Sequence, residues 1–186
     1  MLAKCNHLEA SMEPRSGCAI NAAVEALGDR WSLIVLRDVI FGNRRHFREL
    51  LARNDEGIAS NILSSRLKAL VAGGLLTHED AGRGRRGTYS LTEAGIRTVP
   101  VMAALGTWGL AHRPTSYELG VRAQLLEDGG PELWNDLMDE LRELHLGIPR
   151  PDTGRPRASE LLRAAYERAV AEKEKASEPS PRVRGR

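Results

Sequence analysis

The chain has 186 residues, of which 41% are apolar and 28% are charged, so its length and composition suit one globular domain with a helical addition. No apolar run approaches the roughly 20 residues that a membrane-spanning helix needs, and the first residues lack the apolar centre of a signal peptide. Two cysteines are too few for the disulfide framework of a small secreted protein. We therefore expect a cytoplasmic protein that makes no contact with a membrane.

The positive charge is concentrated in the first part of the chain. Residues 1–112 contain 14 lysines and arginines against 11 acidic residues, whereas residues 113–186 contain 13 against 14. Clustered cations are what a nucleic-acid-binding surface requires, even where the net charge is only +2. The clusters are Arg44-Arg45, Arg66 with Lys68, and Arg83 with Arg85 and Arg86.

Two helices are predicted before residue 43. Residues 19–28 place apolar side chains at helical spacing and end at Gly28. Residues 29–42 follow directly, with Asp29 as the N-cap and Gly42 as the stop. The second helix has too many apolar residues for a surface helix, so we expect it to lie at the centre of the domain.

The next fifty residues, 43–92, predict a winged helix-turn-helix. A short amphipathic helix at 46–54 is followed by a turn and by a second helix over 60–74. Short strands at 75–80 and 87–92 flank a glycine-rich basic loop and together form a hairpin. Helix, turn, helix and hairpin in this order are typical of winged helix-turn-helix domains.

The rest of the chain predicts further helices. Thr92 caps a long helix over 93–112, which Pro100 should kink. Amphipathic helices follow at 131–147 and 158–176. The fold class is therefore mainly α with a small β-hairpin wing. The expected units are a mobile N-terminal segment, a DNA-binding and dimerisation domain, a helical extension and a disordered basic tail, at residues 1–17, 18–112, 113–176 and 177–186.

The second helix of the motif exposes a small polar stripe. With Leu63 as reference and about 100° per residue, Leu67 and Leu70 lie within about 40° of it. The opposite side carries no carboxylate, and small polar side chains let a helix enter the ~12 Å major groove and reach base edges or phosphates. The alternative is an ordinary solvent-exposed face. The predicted major-groove residues are Ser60, Asn61, Ser64, Ser65 and Lys68.

The glycine-rich loop supplies arginines to the wing. A hairpin beside the recognition helix overhangs the DNA backbone, where arginines contact phosphates or enter a narrow minor groove. The alternative for this loop is a solubilising role. Arg66 lies about 60° from the buried stripe, so we expect it to brace the fold or touch a phosphate. The predicted backbone contacts are Arg83, Arg85 and Arg86 in the wing and Arg44, Arg45 and His46 at the entry to the first helix.

Several motifs follow one another between residues 16 and 112. They are "CAINAAVEALGDRWSLIVLRD", "RRHFREL", "GIASNILSSRLKALVAGGLL", "YSLTEAG" and the proline in "TVPVMAALGTWG". Together they resemble the HxlR-type winged-helix transcriptional regulators of bacteria. The resemblance implies a homodimer built largely from the N-terminal helix and the long helix after the wing. It also implies palindromic double-stranded operators and a role as repressor or activator.

The resemblance also singles out Cys18. In several members of that family an N-terminal cysteine at this position senses electrophiles or oxidants, although the proline that usually follows is Ala19 here. A thiol at a helix N-terminus is favourably placed to react. The alternative is an inert packing residue at a dimer contact.

The extension after residue 112 lies outside the resemblance. Its helical spacing predicts core packing first; a thicker dimer interface, a ligand pocket shared with the partner's helices and a protein-binding surface are the alternatives. For Trp134 and Tyr166, helical spacing favours core packing over a role in binding a ligand. Cys5, His7 and Cys18 could form part of a metal site, but three ligands do not complete the usual tetrahedral set.

We therefore expect a dimeric, sequence-specific DNA-binding regulator, for which a response to a redox, electrophile or small-molecule signal stays open. The histidines are dispersed, and no nucleophile elbow, phosphate loop or Cys-x-x-Cys is present. We expect no catalytic residues, no cofactor and no metal. The alternative function is a winged-helix protein-interaction module that uses its C-terminal helices and does not bind DNA.

Overall fold

The computed structural model describes residues 16–80 and 86–177. This part of the chain is mainly helical and contains an antiparallel hairpin, which confirms the predicted fold class. The predictions for residues 1–15 and 178–186 lie outside the described residues. The elements are α1 (Ala19–Leu27), α2 (Arg30–Gly42), α3 (Phe47–Ala52), α4 (Ser60–Ala72), β1 (Leu76–Glu79), β2 (Thr88–Leu91), α5 (Glu93–Ile96), α6 (Val99–His112), α7 (Tyr117–Leu146) and α8 (Ala158–Ser177).

Helix α2 lies at the centre of the fold, as its apolar sequence predicts. Asp29 Oδ1 accepts hydrogen bonds from the backbone N–H groups of Trp31 and Ser32, both at 3.0 Å, and so satisfies two donors that a helix start leaves free. The helix packs against α4 and ends at Gly42, with Asn43 in the left-handed conformation at φ 47° as its C-cap. The helix therefore ends at the predicted stop, Gly42, and Asn43 is the capping residue beyond it.

The two strands form the hairpin of the wing. Leu76 pairs with Leu91 at its base and Glu79 pairs with Thr88. Both leucines are buried, whereas the rest of β1 is exposed. The base of the hairpin is therefore part of the core, and its outer end projects from it.

The prediction of one long helix over residues 93–112 is wrong. Thr92 does cap a helix, since its Oγ1 accepts the Gly95 N–H at 3.1 Å, but α5 ends at Ile96 and α6 begins at Val99. A Cβ on Gly95 would overlap the Leu75 carbonyl oxygen, so α5 is held tightly against the segment between α4 and β1. Pro100 lies in the first turn of α6, where no helical hydrogen bond is lost, and it does not kink the helix.

Helix α7 begins much earlier than the sequence predicted. Its two halves meet at Gly130, whose φ of 52° and ψ of −152° are conformations that glycine tolerates best. Pro131 follows at the first position of the second half, where it needs no N–H partner. Across this kink the indole Nε1 of Trp134 donates a hydrogen bond to the Leu126 carbonyl at 2.7 Å. Trp134 therefore serves to brace the kink.

The extension packs against the winged helix through α7, which contacts α5, α6 and β2 as well as α8. One buried apolar cluster runs from Val35 in α2 to Leu162 in α8. The buried Glu140 carboxylate accepts the Ser159 N–H at 3.2 Å and the Ala158 N–H at 2.5 Å, so it caps the start of α8. Among the described residues, no helix is both long and apolar enough to cross a bilayer.

Candidate nucleic-acid interface

Helix α4 separates an apolar face from a polar one. Leu63, Leu67 and Leu70 are at most 2% exposed and pack towards α2 and α3. The other face carries hydroxyl, amide and ammonium groups and no carboxylate. Of its predicted contact residues, Ser64 is half-buried, and those that are exposed are Ser60, Asn61, Ser65 and Lys68.

The start of α4 is open to an external partner. Ala59 occupies the N-cap position and provides no side-chain hydrogen bond, so the first backbone N–H groups of the helix lack the usual cap. The Leu63 N–H is the donor that bonds back to the Ala59 carbonyl, at 2.9 Å. Uncapped donors and the helix dipole favour an anion such as a phosphate at this end.

Arg66 braces α4 against the start of α2. Its Nη1 lies 3.5 Å from Asp29 Oδ2, the same carboxylate that caps α2 through its other oxygen. Arg66 is half-buried, and its Nε has no hydrogen-bond partner in the described part of the chain. This geometry matches the bracing role that its angular position predicted.

The arginine and histidine residues before α3 are bonded within the fold. Arg44 Nη1 lies 3.0 Å from Asp38 Oδ2 and also donates to the Arg53 carbonyl. The charge of Arg44 is therefore matched by a buried carboxylate. An external phosphate would compete with that ion pair.

Arg45 and His46 fasten the hairpin to the helix-turn-helix. Arg45 Nε donates to the Tyr89 carbonyl at 3.2 Å, and another nitrogen of the same guanidinium donates to Ser90 Oγ. The Tyr89 N–H donates in turn to the Arg45 carbonyl at 2.8 Å, and His46 Nδ1 lies 3.0 Å from the Gly87 carbonyl oxygen. These bonds fix where the wing stands relative to α3 and α4.

The outer part of the wing carries Arg86, which is exposed. Nearby, the His78 and Tyr89 rings stack across the two strands with their centroids 4.4 Å apart, and this contact stiffens the hairpin. The other two predicted wing contacts, Arg83 and Arg85, lie outside the described residues.

Cys18 is exposed at the N-cap of α1, and Ser16 Oγ accepts its backbone N–H at 3.4 Å. No residue of α1 is buried; Ile20 and Val24 are 76% and 58% exposed. In the described part of the chain no group of histidine, cysteine and carboxylate residues could hold a metal ion. Cys5 and His7 lie outside that part.

The sequence did not predict the roles of Arg142 and His145, which join α7 to α5 and to β2. Arg142 Nη2 and Nε donate to the Glu93 carboxylate at 2.8 and 3.0 Å, and its Nη1 donates to Asp139 at 2.7 Å. His145, three residues further along α7, accepts the N–H of Leu91 in β2. The signal in the sequence is that Arg142 and His145, three positions apart, lie on neighbouring turns of one helix beside its apolar stripe.

Comparison with known proteins agrees with this architecture. The family model described as HxlR-like helix-turn-helix matches residues 26–117. An uncharacterised HTH-type transcriptional regulator of Mycobacterium tuberculosis is 39% identical over 99 residues, which are 53% of this chain and 61% of the relative. The chain thus spans less than two thirds of that relative's length.

Two further proteins are similar over about half of the chain. An uncharacterised HTH-type transcriptional regulator of Methanothermobacter thermautotrophicus is 32% identical over 93 residues, which are 50% of this chain and 70% of the relative. The crystal structure of PA1607, a candidate transcription factor, aligns with a TM-score of 0.50 and 29% identity, covering 55% of this chain and 70% of that one. The motif order, the fold and these matches together place the chain in the HxlR-like helix-turn-helix family of transcriptional regulators.

Proposed function

We propose that the chain is a regulator that binds double-stranded DNA with α4 in the major groove and the wing on the adjacent backbone or minor groove. The observation that carries the proposal is the exposed polar face of α4, which contains no carboxylate and lies opposite three buried leucines. A carboxylate on that face would be repelled by the phosphates. Asn61 and Lys68 present groups that recognise base edges.

The wing supplies affinity that does not depend on sequence. Arg86 is exposed, and with Arg83 and Arg85 it would neutralise phosphates and release counterions. A guanidinium has five N–H donors; Arg45 uses two of its nitrogens within the fold, so donors remain for a phosphate while the residue still holds the wing. For His46, likewise, Nδ1 contacts the Gly87 carbonyl within the fold, and the other ring nitrogen is proposed to face a phosphate. Arg44 is the weakest of these contacts because Asp38 already matches its charge.

The proposal includes a homodimer that reads a palindromic site. Helix α1 exposes Ile20 and Val24, and α6 exposes Val101, Leu105 and Trp108. Exposed apolar faces of this kind on one chain mark an interaction surface, and a second copy of the chain can cover both. A two-fold dimer presents its recognition helices to two half-sites, which makes the operator palindromic.

Cys18 lies at the start of the helix that this dimer would use. As a sensor, its oxidation or alkylation would alter the dimer and so the DNA affinity. As a packing residue, it would be covered in the dimer and modification would leave the affinity unchanged. Operator binding before and after treatment with hydrogen peroxide, with Cys18→Ser as the matched variant, distinguishes these two roles.

Selection of bound sequences from random DNA tests the proposed function directly. We expect enrichment of a palindrome, and Asn61→Ala should then reduce discrimination at one base position of each half-site by a factor of about 5 to 150, the equivalent of 1–3 kcal/mol. Arg163→Ala, an exposed substitution on α8, should leave binding unchanged. No enrichment by the correctly folded protein would contradict DNA binding and favour a protein-interaction module.

A further inference from the structure

A cleft lies between α2, α6 and the first half of α7. Its volume is about 430 Å³, within the range of roughly 300–1,000 Å³ that is typical of sites for small organic ligands. Leu119 is exposed at its mouth, whereas Leu105, which also lines it, belongs to the proposed dimer surface. The large apolar side chains that line it are Leu33, Ile34, Phe41, Met102, Leu105, Leu119 and Leu126.

Two of the arginines that line this cleft are matched by carboxylates. Arg37 lies 2.8 Å from Asp38 and also pairs with Glu56, with 2.9 Å between Nη2 and Oε2. Hydrogen bonding to Arg37 lowers the pKa of Glu56. Arg44 pairs with the other oxygen of Asp38. The charges at this end of the cleft therefore balance within the protein.

Arg122 differs from the other two arginines. Its guanidinium lies over the Tyr166 ring, 4.2 Å from the ring centroid, and in the described residues no carboxylate oxygen comes within 4.0 Å of its nitrogens. Burial lowers the pKa of Arg122, and the nearby charge of Arg44 acts in the same direction, whereas Tyr166 and Glu167 oppose it. A half-buried cation with no carboxylate in contact is an unfavourable arrangement that a bound anion would relieve.

The geometry points to a site for a small organic anion, an aliphatic or aromatic carboxylate whose apolar body fills the cleft and whose charged end pairs with Arg122. The stacked Tyr166 ring fixes the plane of the guanidinium, and a planar guanidinium matches a carboxylate with two parallel hydrogen bonds. Asp38 and Glu56 are already paired with Arg37 and Arg44, so Arg122 is the lining cation that remains for the charged end of the ligand. Asp55 is exposed at the edge of the cleft and weakens binding by repulsion.

The site joins the extension to the DNA-binding part of the chain. Helix α2, one wall of the cleft, packs against α4, and α7 continues from Arg122 to the contacts with α5 and β2. Ligand binding would therefore change operator affinity. This regulatory consequence rests on the DNA-binding function proposed above, whereas binding of the anion does not.

Isothermal titration of the full chain without DNA tests the site. The probes are 4-phenylbutyrate and decanoate, with 4-phenylbutanol as the uncharged control. We expect each carboxylate to bind at least tenfold more tightly than the alcohol. Arg122→Gln should abolish this preference, Arg122→Lys should retain part of it, and Asp55→Asn should strengthen carboxylate binding. Arg168→Ala, an exposed arginine of α8 that is not part of the cleft, is the matched control.

Ile34→Trp provides a second test, because the larger side chain would fill the cleft and prevent binding of both acids. Failure of both acids to bind, equal affinity for acid and alcohol, or retention of the preference in folded Arg122→Gln would overturn the site. Binding only to a monomeric variant such as Val24→Asp would show that a second copy occupies the cleft, which also overturns it. If the ligand-free protein does not bind operator DNA, the proposed DNA-binding function is wrong and the anion site is unaffected. If operator affinity is the same with and without bound acid, the regulatory consequence is wrong.

Discussion

The Nδ1 atom of His145 accepts a hydrogen bond from the backbone N–H of Leu91 at 3.2 Å, so the last turn of α7 is bonded to the last residue of the wing's second strand. Because Nδ1 accepts, the neutral ring carries its proton on Nε2, which is buried without a partner among the described residues. A charged ring would carry a second proton on Nδ1 and lose this bond. Burial, together with the nearby charge of Arg45, lowers the pKa of His145 to about 4.

Because of this low pKa, the free energy of unfolding decreases as the pH falls. The folded pKa lies below the ordinary value of 6.5, so the unfolded chain binds the proton first as the pH falls. The stabilisation by neutral His145 is therefore fully present above pH 6.5 and is lost progressively down to about pH 4. Allowing for partial solvent exposure, we expect a loss of about 1–2 kcal/mol over that interval.

Urea denaturation between pH 7 and pH 4 measures the effect. His145→Gln can still accept the Leu91 N–H but cannot titrate, so its unfolding free energy should fall less steeply with acid than that of the wild type. The comparison is needed because Glu56, Glu93 and Glu143, whose pKa values are lowered by arginine partners, also lose their ion pairs in acid in both proteins. Identical pH profiles would contradict the assignment to His145.

Arg142 holds the extension to the core through Glu93 and Asp139. Its side chain is 20% exposed, and we expect Arg142→Ala to lower the unfolding free energy by about 1–2 kcal/mol because charged hydrogen bonds of a partly buried group are lost. Arg97 binds the same Glu93 carboxylate at 2.8 Å but is 69% exposed. Arg97→Ala should therefore change stability by less than about 0.5 kcal/mol. Equal effects of the two substitutions in urea denaturation would show that burial does not set their contributions.

The sequence predicted the winged helix because its signals are local. Asp29 and Thr92 cap helices by accepting N–H groups only two or three residues away. The stripe of Leu63, Leu67 and Leu70 follows from helical spacing. The break between α5 and α6 falls where the Thr98 N–H and Oγ1 both donate to the Gly95 carbonyl, just before Pro100, which has no N–H to bond to Ile96. Pro100 predicts an interruption of the helix from the sequence, but not whether the helix kinks or ends and restarts, and the close approach of Gly95 to the Leu75 carbonyl is a tertiary contact that the sequence does not show.

The first half of α7 was missed for a related reason. Its glycines lower helix propensity, but Gly120 is buried where a Cβ would come within 2.8 Å of Leu110 Cδ2, so this glycine serves the close packing of α6 on α7. The polar face of α4 could be predicted because it follows helical spacing. The internal bonds of Arg45 and His46 could not, because their partners lie 41 to 45 positions away.

The wing arginines should control the salt dependence of DNA binding. Each phosphate contact contributes a slope of about −0.9 to the dependence of log K on log salt concentration. Replacing Arg83, Arg85 and Arg86 with Ala should therefore reduce the steepness by up to about three per protomer and weaken binding to all sequences alike. Fluorescence anisotropy between 50 and 300 mM salt, on operator and on scrambled DNA, measures both effects.

Asn61→Ala serves as the contrasting variant for this measurement. Asn61 is uncharged, so its removal should change the ratio of operator to scrambled affinity and leave the salt slope as it is. A salt slope that stays unchanged when the wing arginines are removed would show that the wing does not contact the backbone.

Helix α1 should be an element of the dimer and not of the single-chain core. Because α1 buries no residue in one chain, Val24→Asp should leave the unfolding temperature of the monomer unit intact while it places a charge in the apolar contact between copies. Light scattering after gel filtration should then give the single-chain mass of 20.5 kDa, where the wild type gives twice that value. Glu25→Ala, on the adjacent exposed face, should remain dimeric. A wild-type mass of one chain at micromolar concentration would rule out the dimer, and a Val24→Asp dimer would remove α1 from its interface.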